Sequence, residues 1–194
     1  MILNGKYLSI RQLKPEDAYI IMEWYENTSF SFYKPFLKSL FPDIKALSDY
    51  INAHLQVNPP IQIEYLILDR KKEKPTGIVS IQDIDYINKK AELALWINKK
   101  PAGRQGIEAL WCAVTHAFND LGLEKLIFYV ARNNHDFLKK LENHQWTPEA
   151  ILKKELLLSD SSRLDIYRYA IFPEDIDLPF WQSIKKALNY TESC

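Results

Sequence analysis

The hydrophobic positions of this chain follow two spacings, and each spacing predicts one type of secondary structure. Segments in which apolar and polar residues alternate, or in which a short apolar run lies between turn residues, predict β-strands. Seven segments have this character: residues 7–13, 61–68, 78–84, 91–97, 125–130, 150–158 and 164–172.

Apolar residues three and four positions apart predict helices between these strands. The strongest pattern covers residues 107–121, where the apolar stripe ends at Gly122, a residue type common just beyond a helix C-terminus. Further helices are predicted from Pro15 onward, over residues 43–56 and over residues 137–143.

The order of these elements is a strand, two helices, three strands, a helix, a strand, a helix and two strands, which indicates a single α+β domain. A chain of 194 residues can bury a sizeable core in one domain and is too short for two comfortable ones. We place the domain at residues 1–172. Residues 173–194 are acidic and then amphipathic, and we expect a C-terminal helical extension packed on the same domain.

The charge balance argues against several classes of function. Lys and Arg together number 25, as do Asp and Glu, so no net field attracts nucleic acid or an anionic membrane. The two cysteines have neither metal-site nor disulfide-framework spacing. Since we find no signal peptide and no apolar run long enough for a bilayer, we expect a cytoplasmic protein with no nucleic-acid, membrane or metal partner.

The segment 91–110 carries the clearest chemistry. A predicted strand leads into a loop with Gly103 and Gly106, and the loop opens the strongest helix. Free backbone N–H groups and the dipole at such a helix start favour phosphate oxygens. No acidic residue lies between Glu92 and Glu108, and three cations precede the helix: Lys99, Lys100 and Arg104.

Two interpretations of these cations remain open. Cations near a helix N-terminus oppose the dipole by up to about 1 kcal/mol each, and a bound polyanion would reverse that penalty. Alternatively they are solvated loop charges, and Glu108 in the first turn balances the dipole.

Motifs spread over residues 7–172 point to one family. They are Leu8-Ser9-Ile10-Arg11-Gln12-Leu13-Lys14-Pro15-Glu16-Asp17-Ala18 with Trp24, Glu92-Leu93-Ala94-Leu95-Trp96-Ile97, Glu108-Ala109-Leu110, Ala117-Phe118, Leu121-Gly122-Leu123, Asn134 with Leu141-Glu142, and Asp165 with Tyr169. In these motifs the chain resembles the GNAT acetyltransferase superfamily, specifically the branch that includes ribosomal-protein alanine N-acetyltransferases.

The resemblance implies a GNAT-like α+β fold, with a mixed central sheet of about six to seven strands flanked by helices. It implies acetyl-CoA as co-substrate, no metal, and a monomer or homodimer. The activity implied is acetyl transfer to a primary amine of a small molecule or a peptide N-terminus, by direct attack in a ternary complex. The coenzyme site implied consists of a bulged central strand, the helix start and a downstream asparagine: Leu95, Trp96, Ile97, Gly103, Arg104, Gln105, Gly106, Ile107 and Asn134.

The chain departs from the family pattern in three places. Its loop, Ala102-Gly103-Arg104-Gln105-Gly106, is one residue short and lacks the central glycine that lets backbone approach a pyrophosphate. Phe137 stands where the family has Ser, and Gln145-Trp146 replaces Gly-Phe. These departures motivate an alternative function, namely a GNAT-fold protein that binds a ligand or partner without catalysis.

Acetyl transfer to an amine needs a group that takes the amine's proton. Glu92 matches a carboxylate of this branch that acts directly or through water, and it fits a cross-strand partner for a Lys equally well. We assign no general acid, because Phe137 removes the family's Ser and Tyr129 lies in an apolar strand, which indicates a core position. His116, opposite the apolar stripe of its helix, is expected at the surface.

An aromatic segment precedes the second helix, where GNAT proteins keep the region that walls the acceptor site. Phe32, Tyr33 and Phe36 are the candidate acceptor-binding residues, although packing on the sheet explains such aromatics equally well. An aromatic lining suits an apolar or ring-containing acceptor better than a polyamine. The acceptor itself stays open, because ribosomal N-termini, amino sugars, antibiotics and polyamines all have representatives on this scaffold.

Overall fold

The computed structural model describes residues 2–26, 30, 40–98, 103–158 and 160–188, without the side chains of 2–4 and 187. These residues form eight strands in one sheet: β1 Ile2–Asn4, β2 Leu8–Gln12, β3 Ile63–Asp69, β4 Pro75–Asp85, β5 Lys90–Ile97, β6 Lys125–Ala131, β7 Ala150–Leu157 and β8 Arg163–Ile171. They also form five α-helices: α1 Ala18–Trp24, α2 Ile44–Leu55, α3 Gly103–Asn119, α4 His135–Asn143 and α5 Pro179–Leu188. Two short 3₁₀ helices, Pro15–Asp17 and Pro173–Asp177, precede α1 and α5.

The strand order across the sheet is β1-β2-β3-β4-β5-β6-β8-β7. Neighbouring strands are antiparallel except β5 and β6, which are parallel and are joined through α3. The mixed sheet and the α+β class are as predicted from the sequence. The described part has one strand more than expected, because Ile2–Asn4 is too short to show an alternating pattern.

The sheet opens between the two parallel strands. Pairing between β5 and β6 covers Lys90–Glu92 and ends at the pair Glu92 with Ile127. Beyond that point β5 continues to Ile97 and β6 to Ala131 without further pairing to each other. A wedge therefore opens at the carboxyl ends of both strands, the edge at which open α/β sheets bind ligands.

The bulge expected in β5 near residues 95–97 is not there. β5 keeps one continuous register with β4 from Glu92 opposite Gln82 to Ile97 opposite Gly77. The irregularity lies instead on β4 between Gln82 and Asp85, where Asp83 has φ +52°. The prediction was wrong because a bulge changes backbone pairing, and the alternating side chains of β5 contain no mark of it.

Helix α3 begins at Gly103, four residues earlier than the apolar stripe predicts. Gly103 has φ +54°, a conformation that glycine adopts without steric cost, and it starts the helix. Two glycines within four residues lower helix propensity by about 1 kcal/mol each. Packing outweighs this cost, because Gly106 and Ala109 are buried.

Two apolar cores lie on opposite faces of the sheet. One lies under α3 and α5 and includes Leu93, Ala109 and Leu126. The other lies under α1 and α2, where Trp24 packs against Trp96 with ring centroids 5.0 Å apart. The sheet therefore presents a different set of side chains to each pair of helices.

Helix α5, from the segment assigned as an extension, shares the first core. Trp181 is fully buried and packs against Trp111 of α3 and against Trp146, with centroid distances of 5.8 and 6.2 Å. Aromatic pairs at such distances add about 0.5–1.5 kcal/mol each beyond their buried area. None of the helices described is long and apolar enough to cross a membrane.

Candidate active site

A buried carboxylate fixes the position of α3. Glu108, fully buried, accepts hydrogen bonds from the backbone N–H groups of Lys6, Tyr7 and Leu8 at 2.5, 2.8 and 2.9 Å. A Cβ on Gly5 would lie only 2.3 Å from its Cδ, so the β1–β2 turn depends on glycine here. The helix start is thereby tied to the turn before β2.

The sequence suggested a different role for Glu108, that of an acid balancing the helix dipole in the first turn. It lies instead in the second turn of α3 and faces the sheet side of the helix. One signal could have shown this. Glu108 is four residues before Cys112, and both lie on the stripe of the helix that is buried.

The first turn of α3 presents backbone donors and no acid. The N–H groups of Gly103, Arg104 and Gln105 belong to the first turn of the helix as it is described, the turn whose N–H groups ordinarily lack an acceptor within the helix. Gly106 is buried and Ile107 is 42% exposed, and their N–H groups lie far enough into the helix to bond within it. The donors available to an anion are thus the first three of the five predicted residues.

Arg104 turns toward the β1–β2 turn. Its Nη1 donates to the Tyr7 hydroxyl at 2.9 Å, and its Cζ lies 5.3 Å from the centre of the Tyr7 ring. Gln105 Nε2 donates to Asp69 Oδ2 at 2.8 Å. Hydrogen bonds from the Lys72 N–H and from Gln105 hold the pKa of Asp69 below its usual range. Both polar side chains of the first turn are therefore positioned by contacts with neighbouring loops.

The open edge of β5 supplies further backbone groups. The backbone N–H of Asn98 donates to the backbone carbonyl oxygen of Thr76 at 2.8 Å, so this N–H points toward β4. Backbone groups alternate in direction along a strand, so those of Leu93, Leu95 and Ile97 point toward the wedge. The predicted contacts at Leu95 and Ile97 are hence available as backbone contacts.

Trp96, the third strand residue predicted to contact coenzyme, has its side chain on the other face. The ring is buried and packs against Trp24 and Phe30, with the Phe30 centroid 4.7 Å away. The side chain of Trp96 is a core element between β5 and α1.

Glu92 lies where the wedge begins. It is half-buried, at the last residue pair between β5 and β6, and its Oε1 accepts from Gln82 Nε2 at 2.8 Å. Gln82 is directly opposite on β4, so the two side chains share a face of the sheet. Its neighbour on β4 is therefore the amide side chain of Gln82.

The face that carries Glu92 also carries Glu64, Ser80 and Tyr129. Glu64 pairs with Ser80, and Ser80 is two residues from Gln82 on β4. Tyr129 is two residues beyond Ile127 on β6 and is 43% exposed, so the expectation that it belongs to the core was wrong. The error arose because most of the strand is buried or half-buried, so its apolar composition gives no sign of one exposed position.

Two tyrosines on this face have raised pKa values. Burial raises the pKa of the Tyr25 hydroxyl well above its usual range, with a further contribution from the Glu64 charge. For Tyr129, burial is the largest cause, the Arg168 charge opposes it, and Glu92 raises the pKa further. Both shifts favour the neutral hydroxyl, and Tyr129 lies within the field of Glu92.

The far wall of the wedge ends at α4. Asn134 is the residue before this helix, and its N–H donates to the Ala131 oxygen at 2.9 Å. It lies at the carboxyl end of β6, the same sheet edge as Ile97. Phe137 packs against Phe128, with centroids 6.4 Å apart. Asn134 is thus at the mouth of the wedge. Phe137, which stands where the family has Ser, belongs to a small apolar cluster.

The three predicted acceptor-binding residues, Phe32, Tyr33 and Phe36, lie outside the described part of the chain. Two other aromatics of that segment are described. Phe30 is fully buried against Trp24 and Trp96, and Phe41 packs on Tyr50 with centroids 4.4 Å apart. These two take the packing role that the sequence left open.

His116 is buried rather than at the surface. It is 6% exposed, its Nδ1 is 2.6 Å from Asp120 Oδ2, and Tyr65 meets its ring edge-on at 5.8 Å. The apolar stripe of α3 is wider than the sequence suggested because both the sheet and α5 cover the helix. Among the residues described, no group of three His, Cys, Asp or Glu side chains could hold a metal ion.

The geometry thus combines the start of a helix, a wedge between parallel strands and a carboxylate at the base of the wedge. The family model for the acetyltransferase (GNAT) domain matches residues 8–143 of this chain. The chain belongs to the GNAT acetyltransferase family. Its enzyme class, acetyltransferase, and its acyl donor, acetyl-CoA, follow from this membership as predicted, whereas the ribosomal-protein alanine branch is not specifically shown.

Solved structures share the fold at low identity. Spermidine N-acetyltransferase from Vibrio cholerae in complex with CoA and spermine superposes with a TM-score of 0.74 at 21% identity, covering 88% of this chain and 98% of that one. A dodecameric structure of the Vibrio cholerae enzyme gives a TM-score of 0.71 at 20% identity, covering 89% and 98%. No curated protein sequence matches this chain significantly.

Proposed function

We propose that this chain transfers an acetyl group from acetyl-CoA to the primary amine of a small cationic molecule, by direct attack in a ternary complex. The wedge between β5 and β6 carries the proposal, since it opens beside the first turn of α3 and has Glu92 at its base. A coenzyme at the helix start and an acceptor on the opposite face would meet there.

The residues around the wedge fit the coenzyme. Phosphate oxygens would bind the N–H groups of Gly103, Arg104 and Gln105, where the first turn contains no acid to repel them. The pantetheine arm would lie along the free edge of Leu95 and Ile97, with Asn134 across the mouth. Acetyl-CoA supplies the acetyl thioester; the protein's part is to position it and to polarise its carbonyl with a backbone N–H.

The acceptor would approach from the face of Glu92. Glu92, directly or through a water, would take the proton that the amine releases on attack. Glu64 lies on the same face, so two carboxylates favour a positively charged molecule there. The spermine bound by the Vibrio cholerae enzyme is a molecule of this type, which supports a cationic acceptor at the level of the shared fold.

This proposal replaces the preference for a ring-containing acceptor. That preference depended on Phe32, Tyr33 and Phe36, which are outside the described residues, whereas Glu64 and Glu92 are described. A peptide N-terminus, the acceptor of the branch that the sequence resembles, also carries an amine and remains the alternative acceptor.

The test is coenzyme binding followed by turnover. A thermal shift with acetyl-CoA at 100 times its Kd should correspond to about 2.7 kcal/mol of stabilisation. Release of free thiol should then be measured with spermidine, a monoamine, an amino sugar and an Ala-initiated peptide. We expect spermidine to give the highest kcat/KM, and a matched diol without amines to give none. No thermal shift at millimolar acetyl-CoA would contradict the proposal.

A non-catalytic role is the second candidate, and Phe137 favours it. The residue contributes no hydroxyl, and it packs against Phe128 rather than facing a departing thiolate. Under this alternative, acetyl-CoA stabilises the protein but no amine in the panel releases thiol. The same experiment therefore separates the two functions.

A further inference from the structure

A second pocket lies beside the start of α3, on its β2–β3 flank, whereas the wedge lies on its β6 flank. Its volume is about 430 Å³, and six residues from three segments of the chain line it: Lys6, Tyr7, Asp69, Lys71, Arg104 and Gln105. Small-molecule sites usually range from about 300 to 1,000 Å³. The pocket is accordingly large enough for a phosphorylated sugar and larger than a single inorganic anion needs.

The lining is predominantly cationic. Lys6, Lys71 and Arg104 come from three different elements, and Asp69 is the one carboxylate among the lining residues. Asp69 Oδ1 accepts the N–H groups of Lys71 and Lys72, both at 3.0 Å, and Oδ2 accepts from Gln105. Asp69 therefore accepts hydrogen bonds from both the β3–β4 turn and α3, and its single negative charge faces the three positive charges of Lys6, Lys71 and Arg104.

The cations are also held in place. Arg104 donates to the Tyr7 hydroxyl, and its guanidinium lies 5.3 Å from the ring centre. Lys6 Nζ lies 5.4 Å from the centre of the same ring. Cation–π contacts of this kind are attractive because the negative face of the ring meets the positive charge. Two of the three charges are thus organised by one aromatic ring before any ligand binds.

Cations beside a helix N-terminus are unfavourable unless an anion accompanies them. Arg104 is in the first turn of α3, which has no acid, and Lys6 and Lys71 are in the turns next to it. Pocket volume, converging cations and the helix start therefore all favour the same kind of ligand, a multiply charged anion attached to an organic group.

We propose that this pocket binds the 3′-phosphate of the coenzyme's adenosine ribose; the inference rests on the proposed function. Only the ribose separates that phosphate from the pyrophosphate that Gly103, Arg104 and Gln105 would hold. Both phosphate groups can hence lie around one helix start, the pyrophosphate on the backbone and the 3′-phosphate between Lys6 and Lys71. Arg104 lies between the two positions.

The test compares CoA with dephospho-CoA, which lacks only the 3′-phosphate, by isothermal titration calorimetry on the full chain. We expect the wild type to bind CoA about tenfold more tightly. Lys6→Gln and Lys71→Gln should each reduce this preference about threefold, since a partly exposed ion pair contributes up to about 1 kcal/mol. The preference should also shrink at high salt, which screens exposed charges.

Lys74→Gln is the matched control. Lys74 lies in the same β3–β4 turn and is exposed, but it does not line the pocket. Its substitution should leave the preference for CoA over dephospho-CoA unchanged. All three variants should keep the wild-type thermal midpoint, which checks that they are folded.

Two results would overturn the assignment while leaving the proposed function intact: equal affinity of the wild type for both ligands, or the same loss of preference in Lys74→Gln as in Lys6→Gln and Lys71→Gln. Failure of either ligand to bind the wild type would overturn both this assignment and the proposed function.

Discussion

Two regions of this protein each centre on a glutamate, and the surroundings of the two carboxylates differ. At the β1–β2 turn Glu108 is fully buried and accepts three backbone N–H groups. At the base of the wedge Glu92 is half-buried and accepts from the Gln82 side chain. The first carboxylate is fixed by the main chain, whereas the second is positioned by a side chain at an opening in the sheet.

The difference teaches how to separate a structural carboxylate from one available for chemistry. Backbone donors cannot move without moving a strand or a turn, so a carboxylate that binds several of them is part of the fold. A carboxylate at an open edge keeps room for a water or an amine, which proton transfer needs. The predictions below test this distinction in order of expected effect.

Glu108→Ala should have the largest effect. It leaves three backbone N–H groups without their acceptor, that of Leu8 buried and those of Lys6 and Tyr7 partly buried, and it opens a cavity, so we expect the unfolding free energy to fall by about 3–5 kcal/mol. Urea denaturation at pH 7 measures the change. Glu124→Gln, an exposed substitution in the Lys89 pair, should cost less than about 1 kcal/mol. Similar losses for the two variants would contradict the comparison.

Glu92→Gln should instead lower activity and leave the fold intact. If Glu92 accepts the amine proton, kcat should fall about 100-fold, while the midpoint of urea unfolding stays within experimental error of the wild type. The residual rate should rise with pH, because more of the acceptor amine is already neutral. A large loss of stability with an unchanged rate would place Glu92 in the same class as Glu108.

Gly5→Ala sharpens the structural half of the comparison. The new Cβ would meet the Glu108 carboxylate at 2.3 Å, so we expect a loss of about 1–3 kcal/mol. Alanine at an ordinary position would instead stabilise the protein slightly by restricting the unfolded chain. Combined with Glu108→Ala, the loss should be less than additive, because the clash disappears with the side chain. Full additivity in denaturant titrations would show that the turn fails for another reason.

Asp165→Asn should have the smallest effect, a small loss of stability near pH 7 that disappears in acid. Hydrogen bonds from the Lys154 N–H and the Lys153 side chain hold the pKa of Asp165 below its usual range. A folded-state pKa below the unfolded value of about 3.9 contributes stability that is present above that pH and is lost as pH falls through the folded pKa. Wild-type stability should therefore decline more steeply than that of the variant below about pH 4. Parallel curves would contradict this.

Much of the fold was predictable because its determinants are local. The segments 61–68 and 125–130 correspond to β3 and β6. The apolar stripe of 107–121 covers most of α3. The short strand β1 and the β4 irregularity at Asp83 were missed. Both depend on which backbone groups pair, and side-chain spacing contains no information on pairing.

The candidate site was predictable only in outline. The helix start at Gly103 and Arg104 follows from a strand, a glycine loop and a helix in sequence. The direction of Arg104 toward Tyr7 does not, because the two residues are 97 positions apart. The exposure of Tyr129 and the burial of His116 were likewise misjudged. Each depends on which elements cover a strand or a helix.

The sequence by itself determined the α+β order, the strong helix and the family, because hydrophobic spacing and motifs are properties of neighbouring residues. Only the tertiary structure decided which glutamate is part of the fold and which one lies at the candidate active site. Glu92 and Glu108 flank the same loop, and from the sequence Glu92 had two possible roles while Glu108 was expected to balance the dipole in the first turn of the helix. Long-range packing brought the Lys6–Leu8 backbone onto Glu108, and it parted β5 from β6 beside Glu92.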